Sequence, residues 1–123
     1  MLLSLTMPSL SAQMSTALIT RLNIAEGGAL PNGSPLLEVR LDLGPMGAQD
    51  CPPVYFFRLV SREKGWVRKV FASVGEARGA GDTLALISTE RDEPIDGPPA
   101  RGLRTSSASI VPEFEWPTAS QER

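Results

Sequence analysis

An all-β domain built on an internal repeat is what the order of residues in this chain predicts. The first reason is a 24-residue phrase, residues 17–40, that returns as residues 65–88 at a constant offset of 48 and without a gap. Four positions are identical, Gly27/Gly75, Ala29/Ala77, Gly33/Gly81 and Leu36/Leu84. Ile19/Val67, Arg21/Lys69, Leu22/Val70 and Val39/Ile87 are alike in kind. The second reason is the lack of a helical pattern. No window before residue 90 keeps apolar residues at i, i+3, i+4 and i+7 for ~10 residues without meeting Gly or Pro. The third is the run Val-Tyr-Phe-Phe-Arg-Leu-Val at 54–60, whose β-branched and aromatic residues suit a pleated, half-buried surface.

Residues 7–14 mix polar and apolar side chains around Pro8 and are a candidate edge strand. The apolar opening, residues 1–10, raises the question of a signal peptide, but no Lys or Arg precedes Arg21 and Pro8 breaks the run. Residues 16–24 predict a strand whose buried parity carries Leu18, Leu22 and Ile24, with Ile19 breaking the alternation. Glu26-Gly27-Gly28 stops it, and Pro31-Asn32-Gly33 turns the chain again. Residues 36–41 return as a strand with Leu37, Val39 and Leu41 on one parity.

Two glycines and three prolines between 44 and 53 predict a loop. The strand 54–60 follows, then a turn at Arg62-Glu63-Lys64-Gly65, then the second copy of the phrase. A helix over 74–86 would carry Gly75, Gly79 and Gly81 at about 1 kcal/mol each against alanine. The matching stretch of the first copy holds Pro31 and Pro35, which decides for strands and turns. From Arg91 the composition shifts to Asp, Pro and Gly and then a Ser/Thr run at 105–109, which predicts an unpacked tail. The expected organisation is one β domain, residues 1–93, and a flexible Pro/Ser-rich tail, residues 94–123.

Neither copy of the phrase can bury its apolar face alone, because units of two or three strands are marginal in water. Paired about a pseudo-twofold axis, the copies close a small flattened barrel without long exposed edges. Gly27/Gly75 and Gly33/Gly81 then mark equivalent turns, where a side chain in the left-handed region costs roughly 1–2 kcal/mol. Leu36/Leu84 and Val39/Ile87 then meet across the core.

Charge and composition exclude several functions. A net charge of −2 with scattered positive residues supplies no field for nucleic acid. With no histidine and one cysteine, the usual zinc sites lack ligands and Ser-His or Cys-His catalysis lacks its base. Neither an enzyme nor a metal site is therefore expected. Cys51 cannot close an intrachain disulfide, which suits a reducing, cytoplasmic compartment. Asp50 beside it raises the thiol pKa, so an unreactive thiol is expected. No stretch of ~18 apolar residues exists to span a membrane as a helix.

Val67-Arg68-Lys69-Val70-Phe71 and the glycine-punctuated residues that follow to Ile87 resemble the second half of lipoyl and biotinyl carrier domains. Met7-Pro8-Ser9-Leu10-Ser11-Ala12-Gln13-Met14, Glu26-Gly27-Gly28 and Gly33-Ser34-Pro35-Leu36-Leu37-Glu38-Val39 resemble the first half, most closely that of the lipoyl domain of 2-oxoacid dehydrogenase acyltransferases. The resemblance covers residues 7–90. It implies a flattened barrel-sandwich hybrid of two four-stranded antiparallel sheets. It also implies a lysine, acylated by the cofactor, at the tip of a tight hairpin. Asp42 takes the place of the aspartate that precedes this lysine in lipoyl domains, but the next residue is Leu43, which has no amine to acylate. The tight tip is replaced by the Pro/Gly loop 44–53, so no cofactor is expected.

The two lysines are Lys64 and Lys69. Lys69 is expected as an exposed strand residue, and Lys64 as a turn charge on the opposite side of the repeat from the tip, an unlikely substitute for the modified lysine. Glu90, Asp92 and Glu93 are expected to be solvating charges, since Arg91 intervenes. Phe114 and Trp116 are aromatic anchors in a polar tail that dock on a protein partner or fold back on this domain or a dimer mate. Met46, Tyr55 and Phe56, beside the remodelled tip, are the other candidate interface. The expected function is a non-acylated lipoyl-like domain acting as a protein-binding or assembly module. One alternative is a biotin or lipoyl carrier subunit modified at Lys64. The other is a periplasmic module resembling membrane-fusion adaptors, whose lipoyl-like domains also lack the lysine.

Overall fold

The computed structural model describes residues 1–11, 16–42 and 54–110. They form ten strands and no helix: β1 (Leu2–Thr6), β2 (Thr16–Leu22), β3 (Ala29–Leu30), β4 (Pro35–Asp42), β5 (Val54–Ser61), β6 (Gly65–Val70), β7 (Ala77–Gly79), β8 (Thr83–Ser88), β9 (Arg101–Gly102) and β10 (Thr105–Ile110). One sheet has the order β3-β6-β8-β1-β9 and the other β10-β5-β4-β2-β7. Every pairing is antiparallel except β1 with β9. The all-β class is as the sequence predicts. The expected two four-stranded sheets are instead two five-stranded ones, one of them mixed, and among the described residues they do not close into a barrel.

The repeat governs the pairing. Ala29 pairs with Trp66 and Leu30 with Gly65, while Ala77 pairs with Leu18 and Arg78 with Ala17, the same contacts at the 48-residue offset. Each copy thus donates its short strand to the other copy's sheet. This reciprocity is what a twofold relation requires. Gly27 N–H donates to the Val67 carbonyl and Gly75 N–H to the Ile19 carbonyl, both at 2.8 Å. These glycines have φ of 87° and 95°, a backbone region that admits a Cβ only with strain. The correspondence extends beyond the phrase. Met7 exchanges backbone hydrogen bonds with Gly81 and Asp82 as Ser61 does with Gly33 and Ser34, so β1 and β5 are also equivalent.

Both copies carry two bulges at matching places. In β2 the register shifts between Ile19 and Arg21, and in β6 between Val67 and Lys69. The extra residue, Thr20 or Arg68, resets the parity of the strand. Ala17 and Ile19 are therefore the buried residues of β2, with Leu18 half-buried on the outer side. After the bulge, Leu22 packs on the core and Ile24 is buried. This corrects the expected inward set of Leu18, Leu22 and Ile24 and explains why Ile19 breaks the alternation. The second bulge, at Leu36 and Leu84, lets Leu36 with Leu37 and Leu84 with Ala85 be buried as neighbours.

Residues from both sheets form one apolar core, among them Leu3, Leu5, Val67 and Ile87 from one sheet and Ile19, Val39, Leu41 and Leu59 from the other. The start of the chain belongs to it. β1 lies between β8 and β9, and Leu3 and Leu5 are fully buried, so the strand here precedes the stretch 7–14 expected to form an edge. The expected tail at 94–123 also differs from the structure over residues 101–110, which add β9 to β1 and β10 to β5. Edge pairing and the burial of Leu103 order this Ser/Thr-rich stretch, which lacks the apolar content to pack by itself.

Candidate functional site

β4 and β5 form the hairpin whose tip the sequence singles out. Asp42 and Val54 are its last pair, and the residues 43–53 that join them, including Leu43, Met46 and Cys51, lie outside the described residues. So do Phe114 and Trp116. What remains of the candidate interface is the end of β5. Val54 and Tyr55 are about half exposed, at 46% and 47%, and Phe56 is half-buried. Successive strand residues point to opposite faces. Tyr55 pairs with the buried Leu41, whereas Phe56 pairs with Arg40 on one side and Ile110 on the other. Tyr55 and Phe56 therefore do not form one patch.

Phe56 belongs instead to a row across the outer face. Leu18, Arg40, Phe56 and Ile110 are successive cross-strand partners on β2, β4, β5 and β10, all half-buried. Below this row Arg58 donates to Glu38 Oε2 at 3.0 and 3.1 Å from its neighbouring cross-strand position. Sequence reasoning finds Phe56 but not Leu18 or Ile110, because the row depends on register between strands far apart in the chain. Pairing of Ile110 with Phe56 also places the departures of residues 43–53 and 111–123 at the same end of the same sheet.

The opposite end of β5 is closed by ion pairs. Glu63, in the turn after β5, accepts from both terminal nitrogens of Arg101 at 2.8 Å and from the Arg104 backbone N–H at 2.8 Å. Arg62 N–H donates to the Arg104 carbonyl at 2.8 Å. The Arg101 hydrogen bonds pull the Glu63 carboxyl from its ordinary 4.5 down to about 2; partial burial opposes this and the Arg104 N–H adds to it. The cluster fastens β9 and β10 to the β5–β6 turn, which identifies it as structural. Glu63 reads in the sequence as a turn charge, because its partners lie some forty residues on.

Lys64 is exposed beside this cluster, with no hydrogen bond or ion pair among the described residues. It lines a cavity of about 330 Å³ with Leu30, Pro31, Gly65, Trp66 and Thr89. The Arg91 guanidinium lies 5.5 Å from the centre of the Trp66 ring. The cavity has apolar walls and a cation at the rim, and the Thr89 hydroxyl that also lines it accepts from the Met1 ammonium at 2.9 Å. The eight residues of β5 put the cavity about 25 Å from the strand's other end at Val54. Lys69 is exposed on β6, as expected.

Glu93 is not a solvating charge as expected. Its carboxylate accepts from the Met1 ammonium at 2.6 and 2.8 Å, and its carbonyl accepts from Arg68 at 2.7 Å. The ammonium hydrogen bond holds this carboxyl below its usual range. Among the described residues no three His, Cys, Asp or Glu side chains gather as a metal site, and no helix is long and apolar enough to cross a membrane. No protein-family model matches the chain, and no curated protein matches it.

Proposed function

We propose that this chain is a lipoyl- or biotinyl-like domain that carries no acyl cofactor and works as a protein-binding or assembly module. In this reading the fold is the barrel-sandwich hybrid, with four strands of each sheet drawn from the repeat and β9 and β10 added at the edges. Reciprocal donation of the short strands β3 and β7 supports it. The lost lysine supports the absence of a cofactor: Leu43 follows Asp42 at the hairpin tip, and Lys64 lies at the other end of β5.

The observation that carries the binding role is the convergence at one end of the sheet. Residues 43–53 and 111–123 hold Met46, Phe114 and Trp116, and both segments leave from neighbouring positions on β5 and β10. Val54 and Tyr55, about half exposed at the start of β5, and the aromatic residues that the sequence carries after Ile110 are the composition of a protein-binding segment.

Intact-mass analysis after co-expression with lipoate and biotin ligases tests the reading. The unmodified mass is expected, and a stoichiometric adduct, which peptide mapping would place at Lys64 or elsewhere, overturns it in favour of a carrier. Affinity capture with the full chain and with a chain ending at Ile110 then tests the binding end. Loss of the captured partners on truncation is expected.

A further inference from the structure

Four strands end the two sheets. β3 and β9 have two residues each, β7 has three and β10 has six. The short ones carry features that resist further pairing: Pro31 directly after β3, Arg101 within β9 and Arg78 within β7. β10, with the sequence Thr-Ser-Ser-Ala-Ser-Ile, has no charge, no proline and no bulge in its register with β5. Three of the ordinary protections of an edge are thus absent from the one edge long enough to need them.

The direction of its backbone groups follows from the pairing. Ser61 uses its N–H and carbonyl toward Ser34 and Gly33, on the β4 side, while Arg62 N–H donates to Arg104 on the other side. Antiparallel pairing alternates bonded and non-bonded residues. Ser106, Ala108 and Ile110 therefore bond to β5, and Thr105, Ser107 and Ser109 direct their N–H and carbonyl groups outward. Among the described residues no other strand meets those groups.

We propose that β10 pairs antiparallel with β10 of a second copy of this chain, across a twofold axis at Ser107, joining the two sheets into one. The strand is self-complementary in that register. Thr105 stands opposite Ser109 of the second copy and Ser107 opposite its own counterpart, so all the outward groups are bonded. Ser106 stands opposite Ala108, and Arg104 opposite Ile110. No two like charges meet, and the small side chains leave the approach unobstructed. A net charge of −2 adds little repulsion between copies. This inference rests on the edge itself and not on the carrier-like reading.

Sedimentation and light scattering of the full chain test it, with a concentration-dependent dimer expected. Ser107→Lys and Ser107→Glu should each weaken dimerisation about tenfold or more by opposing like charges, and mixing the two variants should restore the dimer. Ser107→Pro should weaken it similarly, because it removes an N–H that points outward and leaves the bonds to β5 intact. Circular dichroism and urea unfolding of each variant establish that the fold is kept. Amide exchange gives a separate readout: Thr105, Ser107 and Ser109 are protected in the dimer and lose that protection in Ser107→Lys, while Ser106 and Ala108 stay protected. A full chain that is monomeric at every concentration overturns the proposal, as does a dimer indifferent to these variants. So does dimerisation only of a chain ending at Ile110, which would mean that the following segment covers the edge. None of these results alters the adduct mass, so the two readings fail separately.

Discussion

The two copies of the repeat follow one pairing plan and diverge where their residues leave the core. Inside, Ile19 matches Val67, Leu36 matches Leu84 and Val39 matches Ile87, all buried. At the first bulge the copies part. Thr20 hydrogen-bonds only across to the neighbouring strand, at the Glu38 carbonyl, whereas Arg68 reaches Ser88 and beyond it the Glu93 carbonyl and so fixes residues 89–93 over its sheet. Two positions before the bulge residue, on the outer face, Leu18 matches Trp66, which Arg91 covers. The lesson is that a duplicated strand set needs equality only where side chains share the core. Everything on the outer faces is open to separate use, and the two faces have been used differently.

The largest test of this equality is a pair of truncations. Leu36→Ala and Leu84→Ala each remove a fully buried side chain at the same bulge, and each should cost about 3 kcal/mol in urea unfolding. Costs that differ severalfold would break the equivalence of the cores. A smaller effect separates the copies at Gly65 and Ala17. A Cβ on Gly65 would lie 2.8 Å from the Ser88 carbonyl oxygen and 2.9 Å from Ile87 Cγ2, too close without a backbone shift. Gly65→Ala should therefore cost about 2 kcal/mol by overpacking. Ala17→Gly, at the matching position, should cost only about 1 kcal/mol, from backbone entropy and lost contact. Equal melting curves for these two variants would mean that the strands approach alike in both copies.

The smallest effect concerns the clamp that only the second half carries. The folded-state pKa of Glu63 lies below its ordinary value, so its contribution is complete above 4.5 and is lost as pH falls from 4.5 toward about 2. Arg101 keeps about a third of its side chain in solvent, which limits the contribution to about 1 kcal/mol. Glu63→Gln should lower stability by about that amount at neutral pH and flatten the acid limb of the stability profile. An unchanged acid limb would show that the carboxylate does not hold β9 and β10.

Much of the fold is legible in the chain because its signals are local. Gly27, Gly33, Gly75 and Gly81 mark the turns, and all four have positive φ. The gapless offset predicts that the halves pair, and they do. What is not legible depends on register. The inward parity of β2 is set by a bulge at Thr20, and no hydropathy pattern announces a bulge. The apolar residues 1–10 show no strand pattern by themselves, whereas in the structure Leu2–Thr6 lies between β8 and β9. The Ser/Thr run at 105–109 reads as tail because its order comes from β5 and Glu63, not from its own side chains. Tyr55 and Phe56 look like one patch in the sequence and lie on opposite faces of the strand.

The sequence by itself determines an all-β domain of two like halves. Local conformational preference and the placing of glycine at the turns suffice for this. Only the tertiary structure decides which strands become edges, which charges act as clamps and where the segments 43–53 and 111–123 leave the sheet. These depend on cross-strand register, which sums weak preferences over residues far apart in the chain.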